Sequence, residues 1–308
     1  MTNITIICPV YNEEKNLTLF SKKILQVCKK IKNSKILFIN DGSIDNSLNL
    51  IKQISKKNKK IKYLSFNKNY GHQSAILAGL EKIESDYYVA IDTDLQHDPI
   101  HLIKMIKIIK NSEFDLVQMK KNHYNYENFI KTYLSKKFYN LFRNLVKIDI
   151  ADGSSDFYVI NKELRNKVIQ SKFGNNFLRG LIHWLSLKKK YINYSPDKRN
   201  AGTSKYSFIK QILFGLTGIL NFFGQFYFVL FKFAIFSSLI GMFYIIYIIF
   251  DFFKNGISVD GWNTIIILIL IFGILNILNS TVQIYLINRI YNFIGKKPDY
   301  IISETNFR

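Results

Sequence analysis

Two carboxylates stand two residues apart in Asp92-Thr93-Asp94-Leu95-Gln96, with an amide two residues further on. They follow the apolar run Tyr87 to Ile91, which reads as a buried strand. In an extended segment, side chains two apart point to the same side. Asp92, Asp94 and Gln96 are therefore expected to converge on one point. Three hard oxygen donors suit Mg²⁺ or Mn²⁺, an ion that keeps some of its waters and clamps phosphate oxygens. A D-x-D by itself is most often a solvated turn, so its neighbours decide what this one does.

The elements that must position it can be read from spacing. Thr5 to Val10, Lys35 to Ile39, Ile61 to Phe66, Tyr87 to Ile91 and Phe114 to Met119 are short apolar runs of strand type. Between them, Glu13 to Ile31 places Leu17, Phe20, Ile24, Cys28 and Ile31 at helical spacing, and Asp45 to Ser55 does so with Leu48, Ile51 and Ile54. Ser74 to Glu84 is a third helix, and Pro99 opens a fourth at its first turn. Strands alternating with helices predict right-handed crossovers and an α/β fold with a mainly parallel sheet. In such sheets ligands bind outside the carboxyl ends of the strands. The unusual polar clusters fall there: Tyr11-Asn12-Glu13, Asn40-Asp41-Gly42-Ser43, Asn67 to Gln73, and Asp92 to Gln96. Each alone could be an ordinary turn; four at one sheet edge point to a site. No G-x-G-x-x-G and no G-x-x-x-x-G-K-[ST] is present, which argues against a dinucleotide or P-loop site. No Cys/His cluster has zinc spacing.

The chain has 308 residues, a formal net charge of +21 and two cysteines. Such charge suits an anionic membrane surface or nucleic acid. The basic residues are spread through helices, and an acidic cleft repels phosphate unless metal is present, so no nucleic-acid partner is expected. Cys8 and Cys28 sit in a strand-like and a helix-like run and read as reduced core residues facing the cytosol. The N-terminus runs straight into a strand, with no signal-peptide pattern. Val229 to Phe250 and Asn263 to Ile287 are apolar runs long enough to cross a hydrocarbon core. Lys205, Lys210, Arg289, Lys296 and Lys297 flank them, and the positive-inside rule puts both flanks in the cytoplasm. The expected organisation is a cytosolic catalytic domain over 1–205 and interfacial or juxtamembrane helices over 206–228. Transmembrane helices over 229–250 and 263–287 follow, then a cytosolic tail over 288–308. This predicts a multi-pass protein of the cytoplasmic membrane. Asn276, Asn279, Ser280 and Gln283 share one face of the second run and predict helix contacts, within the hairpin or between subunits of a homo-oligomer.

A set of motifs narrows the reading. Cys8-Pro9-Val10-Tyr11-Asn12-Glu13-Glu14, Asn40-Asp41-Gly42-Ser43-Ile44-Asp45, Asn69-Tyr70-Gly71-His72-Gln73 and Asp92 to Pro99 stand in the order seen in inverting family 2 glycosyltransferases of the GT-A fold. Ser155-Asp156-Phe157, Phe177-Leu178-Arg179-Gly180 and Arg199 to Ser207 extend the pattern. The chain resembles the polyprenyl-phosphate glycosyltransferases, the group of dolichol-phosphate mannose synthase and the bactoprenol glucosyl transferases, over about residues 3–225.

That resemblance implies inverting transfer of one sugar from a nucleotide sugar, with UDP-glucose the best guess, to a polyprenyl phosphate such as undecaprenyl phosphate, for modification of cell-envelope glycans. Pro9, Tyr11, Glu13 and Asp41 would hold the base and ribose. Asp92 would approach the ribose or metal, and Asp94 and Gln96 would carry the ion on the diphosphate. Arg199 and Lys205, in a basic loop, would cover the phosphates and the acceptor. Lys121, Lys131 and Ser135 would bind the acceptor phosphate, where the family tends to have two arginines and this chain offers lysines. Asp156 matches the family's candidate base. A phosphate monoester is already largely dianionic near neutral pH, so Asp156 can equally orient the acceptor or a basic side chain. Two other readings stand beside this one: a membrane transferase with a polysaccharide or other non-prenyl acceptor, and a nucleotide-sugar-binding membrane protein without catalysis. If the basic loop covers the phosphates, Arg199→Ala and Lys205→Ala each lower turnover by about tenfold or more while the fold survives. Full activity in both variants, measured with labelled nucleotide sugar, would remove the loop from the chemistry.

Overall fold

The computed structural model describes residues 2–121, 151, 153–171, 178–195 and 298–307, with single positions and short runs between 236 and 290. The chain divides into two compact units, one of 1–222 together with 298–308 and the other of 223–297.

The first unit carries one eight-stranded mixed sheet. Its strands are β1 (Ile4–Val10), β2 (Ser34–Asn40), β3 (Ile61–Phe66), β4 (Tyr87–Ala90), β5 (Leu116–Lys121), β6 (Ser154–Asn161), β7 (Lys189–Tyr194) and β8 (Ile302–Thr305). The order across the sheet is β7-β5-β6-β4-β1-β2-β3-β8. The β4-β1-β2-β3 centre is parallel, as alternation of strands and helices predicts. β6 and β8 run antiparallel to their neighbours, and β7 pairs parallel with β5. Every residue of β1 is buried, because helices cover both faces of the sheet. On one face Ile4, Ile6, Cys8 and Val10 join Leu17, Phe20 and Ile24 of α1 (Glu14–Lys30) and Met105 of α4 (His101–Lys110). α2 (Ser47–Lys57) adds Ile51 to the same core. On the other face Ile7, Leu37 and Tyr88 pack under α3 (His72–Lys82), α5 (Lys162–Gln170) and α6 (Leu178–Leu185). Cys8 and Cys28 are free and buried, as expected of reduced core residues.

Direction and register bring the chemistry to one edge. The carboxyl ends of β1 to β4 lie together because those strands are parallel. β6 enters from the same edge, since Ala90 pairs with Tyr158 and the antiparallel register carries Asp156 level with the residues just after β4. β5 and β7 end there too, with Lys121 opposite Tyr194.

The expected transmembrane hairpin is corrected. Among the described residues no helix is long and apolar enough to cross a membrane. The longest described helix, α1, is amphipathic and carries lysines at 15, 22, 23, 29 and 30. A span needs roughly 20 consecutive apolar residues. The segments 229–250 and 263–287 fall largely outside the described residues. The expected multi-pass placement in the cytoplasmic membrane loses its support with the hairpin. Described positions in the second unit include exposed Phe243, Phe250 and Phe253, and Asn276, Asn279, Ser280 and Gln283 are helical and exposed.

The end of the chain does more than the sequence shows. Where a tail over 288–308 was expected, residues 302–305 form β8 on the free edge of β3. Tyr300 stacks on Phe66 at 5.0 Å between ring centroids and donates its hydroxyl to Glu81 at 2.6 Å. Lys52 pairs with Glu304 at 2.7 Å, and Tyr63 N–H donates to Asn306 Oδ1 at 2.8 Å. Burial of its ring and the Glu81 carboxylate keep the Tyr300 phenol protonated well above the usual range. Without β8 the edge of β3 would offer unpaired backbone groups to other chains. Deletion of 299–308 should therefore lower the urea midpoint and bring concentration-dependent light scattering, and Tyr300→Ala should cost about 1–3 kcal/mol. A deletion variant that unfolds at the wild-type midpoint and stays monodisperse would show that β8 adds nothing to the fold.

Candidate active site

The site is built on interlocked turns. Asn12, at φ 53°, donates its N–H to Ser43 Oγ at 3.0 Å and accepts at Oδ1 from the N–H of Ile44 at 2.9 Å. Glu13 N–H donates to Ser47 Oγ, and Asn46 N–H donates to Glu14 Oε2. The loops after β1 and β2 thus hold each other. Asp41 joins the second loop to the third. It is 2% exposed, and it accepts from Tyr70 N–H at 2.7 Å, from Gly71 N–H at 3.0 Å and from Asn69 Nδ2 at 3.0 Å. Burial raises the Asp41 carboxyl, and the two backbone donors offset part of that rise. Gly42 completes the joint: at φ +63° any Cβ would lie 2.3 Å from the carbonyl carbon of Lys68.

The D-x-D lies on a bend, not on a strand. β4 stops at Ala90, and Leu95 has φ 63°, an uncommon backbone for a bulky side chain. Burial of that side chain, 4% exposed, holds the strained backbone in place. The expected alternation survives in burial: Asp92, Asp94 and Gln96 are half-buried, while Thr93, Leu95 and His97 are buried. Thr93 Oγ1 donates to the Pro9 carbonyl at 3.1 Å, and Gln96 N–H donates to Asp94 Oδ1 at 3.1 Å. Among the described residues no three His, Cys, Asp or Glu side chains are grouped to hold an ion.

A chain of alternating charge crosses the edge beside it. Arg179, at the start of α6, grips Asp156 with two parallel hydrogen bonds, Nε to Oδ1 at 2.8 Å and Nη2 to Oδ2 at 2.6 Å. Gln73 Nε2 donates to Asp156 Oδ2 at 3.4 Å, and Gln73 Oε1 accepts from Arg179 N–H at 3.0 Å. His72 Nε2 is shut off from solvent, 3.3 Å from Asp92 Oδ1 and 3.5 Å from Asp156 Oδ2, and is aligned with neither. His97 Nε2 stands 3.7 Å from Asp92 Oδ2. Burial alone would lower the His72 imidazole, but the carboxylates of Asp92 and Asp156 push it up to about 9. Burial alone would raise Asp156, but Arg179 and His72 hold it well below the usual carboxylate range. Asp92 is also lowered, by His72 and His97 against the same burial. Near neutral pH the row reads Arg179 positive, Asp156 negative, His72 positive, Asp92 negative.

Residues 5–169 match the model of glycosyl transferase family 2. The chain belongs to that family. It is 35% identical over 306 residues to "Putative glycosyltransferase CsbB" of Bacillus subtilis (strain 168), covering 98% of this chain and 92% of that protein. It is 28% identical over 304 residues to the bactoprenol glucosyl transferase of Shigella phage SfII, covering 98% of each. Among solved structures, mannosyl-3-phosphoglycerate synthase from Rubrobacter xylanophilus shares the fold, with TM-score 0.50 and 11% identity over 71% of this chain and 72% of that one. Membership in the family and the relatives' names support transferase activity.

Several expected residues of this family 2 chain meet at the sheet edge. Pro9, Tyr11, Glu13 and Asp41 follow or end β1 and β2, Asp92, Asp94 and Gln96 follow β4, and Asp156 is the third residue of β6. Glu13 accepts from Asn16 Nδ2 at 2.7 Å. Lys121 ends β5. Lys131, Ser135, Arg199 and Lys205 lie outside the described residues. Sequence reasoning gave no role to His72, Gln73, His97 and Arg179, although each stands inside a motif it used. Tyr194 carried no signal at all.

Asp156 and Arg179 are mostly buried, so separating them should be costly. Arg179→Met should lose about 3 kcal/mol of stability at neutral pH. Because the folded-state pKa of Asp156 is depressed, the pair's contribution is complete above the ordinary carboxylate range and fades as pH falls below it. The gap between wild type and Arg179→Met, measured by denaturant titration, should thus be widest at neutral pH and narrow from about pH 4 downward. A gap that is constant from pH 7 to pH 2 would show that charge pairing is not its source.

Proposed function

We propose that this protein transfers a single sugar, with inversion, from a nucleotide sugar to a polyprenyl phosphate, with UDP-glucose the favoured donor. The observation that carries the reading is the half-buried Asp92-Thr93-Asp94 bend at the carboxyl edge of the sheet, facing the Asp156–Arg179 pair. The bactoprenol glucosyl transferases that align over nearly the whole chain support both the acceptor class and the sugar. The catalytic domain of this reading is the part expected over 1–205, completed by the strand at 302–305.

The donor set fits a divalent ion of the Mg²⁺ or Mn²⁺ kind. Such ions are commonly held by one or two carboxylates, with substrate phosphates and waters filling the remaining positions, and need no protein-only cage. Each oxygen of Asp92 faces an imidazole nitrogen, so Asp94 is assigned the larger share of the ion, with Gln96 beside it. When bound, the ion neutralises the charge that develops on the departing diphosphate. Asp41 then acts at one remove: its carboxylate shapes the 69–71 loop that borders the base and ribose, beside Pro9, Tyr11 and Glu13. Arg199 and Lys205 are assigned to the phosphates, and Lys121, Lys131 and Ser135 to the acceptor.

Asp156 is assigned a holding role in place of general base. Both of its oxygens are bound by Arg179, and its depressed pKa makes it a poor proton acceptor. The chemistry does not need one. A phosphate monoester with a second pKa near 6 is mostly dianionic at neutral pH and requires positioning above all.

The test is turnover of labelled nucleotide sugars on undecaprenyl phosphate, followed by extraction of the lipid product. UDP-glucose should label the lipid, chelation of divalent ions should stop the reaction, and Asp94→Asn should slow it by about a hundred- to a thousandfold. If wild type remains active after all divalent metal is removed, the ion assignment is wrong. If none of the nucleotide sugars labels the lipid while one is hydrolysed or transferred elsewhere, the acceptor is wrong.

A further inference from the structure

Beside Asp92 lies a buried pair, His97 and Tyr194. His97 is 2% exposed and Tyr194 is 5% exposed. The Tyr194 hydroxyl lies 2.6 Å from His97 Nδ1. The other ring nitrogen, Nε2, faces Asp92 Oδ2 at 3.7 Å. The His97 ring is packed against Phe157 and Tyr194, each at 5.4 Å between centroids, so its plane is fixed. Three elements meet in this contact: the bend after β4, the entry of β6 and the end of β7.

The polarity of the chain follows from hydrogen-bond chemistry. Burial holds the Tyr194 phenol protonated well above the usual range, so its hydroxyl has a proton to give to Nδ1. With Nδ1 accepting from Tyr194, the proton of the imidazole sits on Nε2, the nitrogen that faces Asp92. Such an arrangement resembles the outer hydrogen bonds that orient ligands in metal sites. Asp92 needs an anchor of this kind. It lies past the last ladder pair of β4, on a bend with a strained Leu95, and its other oxygen is drawn toward His72.

We propose that Tyr194 and His97 are positioning residues for the nucleotide-sugar site, the Tyr194 hydroxyl fixing the His97 imidazole so that Nε2 stays beside the Asp92 carboxylate and keeps it in place there. The same contact ties Asp92 to the end of β7. This rests on the reading of Asp92 as part of the nucleotide-sugar site.

The probe is UDP, titrated calorimetrically into the full-length protein with MnCl₂ and again with chelator, alongside the KM for nucleotide sugar, kcat and the thermal midpoint. Tyr194→Phe deletes only the hydroxyl, His97→Leu fills the space without a donor, and His97→Gln places an amide N–H near the position of Nε2. Tyr194→Phe and His97→Leu should weaken UDP binding in Mn²⁺ by about tenfold and raise KM in step. His97→Gln should recover part of the loss, which a packing role would not predict. If wild type binds UDP and Tyr194→Phe binds it equally well, the linkage is overturned and the site reading stands. If Tyr194→Phe does not fold, the two His97 variants decide: Gln no better than Leu overturns the linkage. If wild type binds no UDP under either condition, the site reading fails and takes the linkage with it.

Discussion

A single imidazolium between two carboxylates organises this sheet edge. His72 begins α3, Asp92 follows β4 and Asp156 lies near the start of β6, and none of the three is held by a neighbour in sequence. Two like charges this close repel, and burial strengthens the repulsion. A cation between them turns the repulsion into attraction, and Arg179 adds a second positive group behind Asp156. The row is close to neutral as a whole, which is what lets so many ionised groups share a half-buried place. It also leaves the D-x-D with its negative charge fixed in position before any substrate arrives.

Around this row the protein spends its polar side chains on other parts of itself. Asp41 is the clearest case. Read in sequence it is a carboxylate free to meet a ligand; in the fold its oxygens are occupied by the backbone of the next loop. Asn12, Ser43 and Ser47 similarly tie the first two loops together. The result is a preorganised platform, in which the loops that border the site are held by hydrogen bonds to one another and need little rearrangement on binding. The C-terminal strand adds to it from the far side, since Tyr300 stacks on Phe66 and Phe66 in turn meets Tyr70, edge to face at 5.6 Å, in the loop that Asp41 holds.

Local pattern decided the core of the fold. The apolar runs of β1 to β5 and the helical spacing of Leu17, Phe20 and Ile24 make a parallel centre covered on both faces almost unavoidable, and the polar clusters at the strand ends mark the edge where a ligand binds. The alternation of Asp92, Asp94 and Gln96 was legible too, because side chains that alternate in an extended run keep two sides even where Leu95 bends the backbone. Hydropathy was less reliable. Length and apolarity of 229–250 and 263–287 predicted a membrane hairpin, and the described residues contain no helix that meets both conditions.

The pairings across the sheet were decided only in three dimensions. β6 turns antiparallel and thereby sets Asp156 against His72 and Arg179, which are 84 and 23 residues away along the chain from Asp156. β8 returns from the far end of the sequence to close the edge of β3. Sequence states which groups are present and which side of an element they occupy, because those follow from backbone period. It does not state which distant groups neutralise one another, because that depends on strand order and register. Here that order turned a family base candidate into a bound partner of arginine, and a buried tyrosine with no motif into a neighbour of the D-x-D.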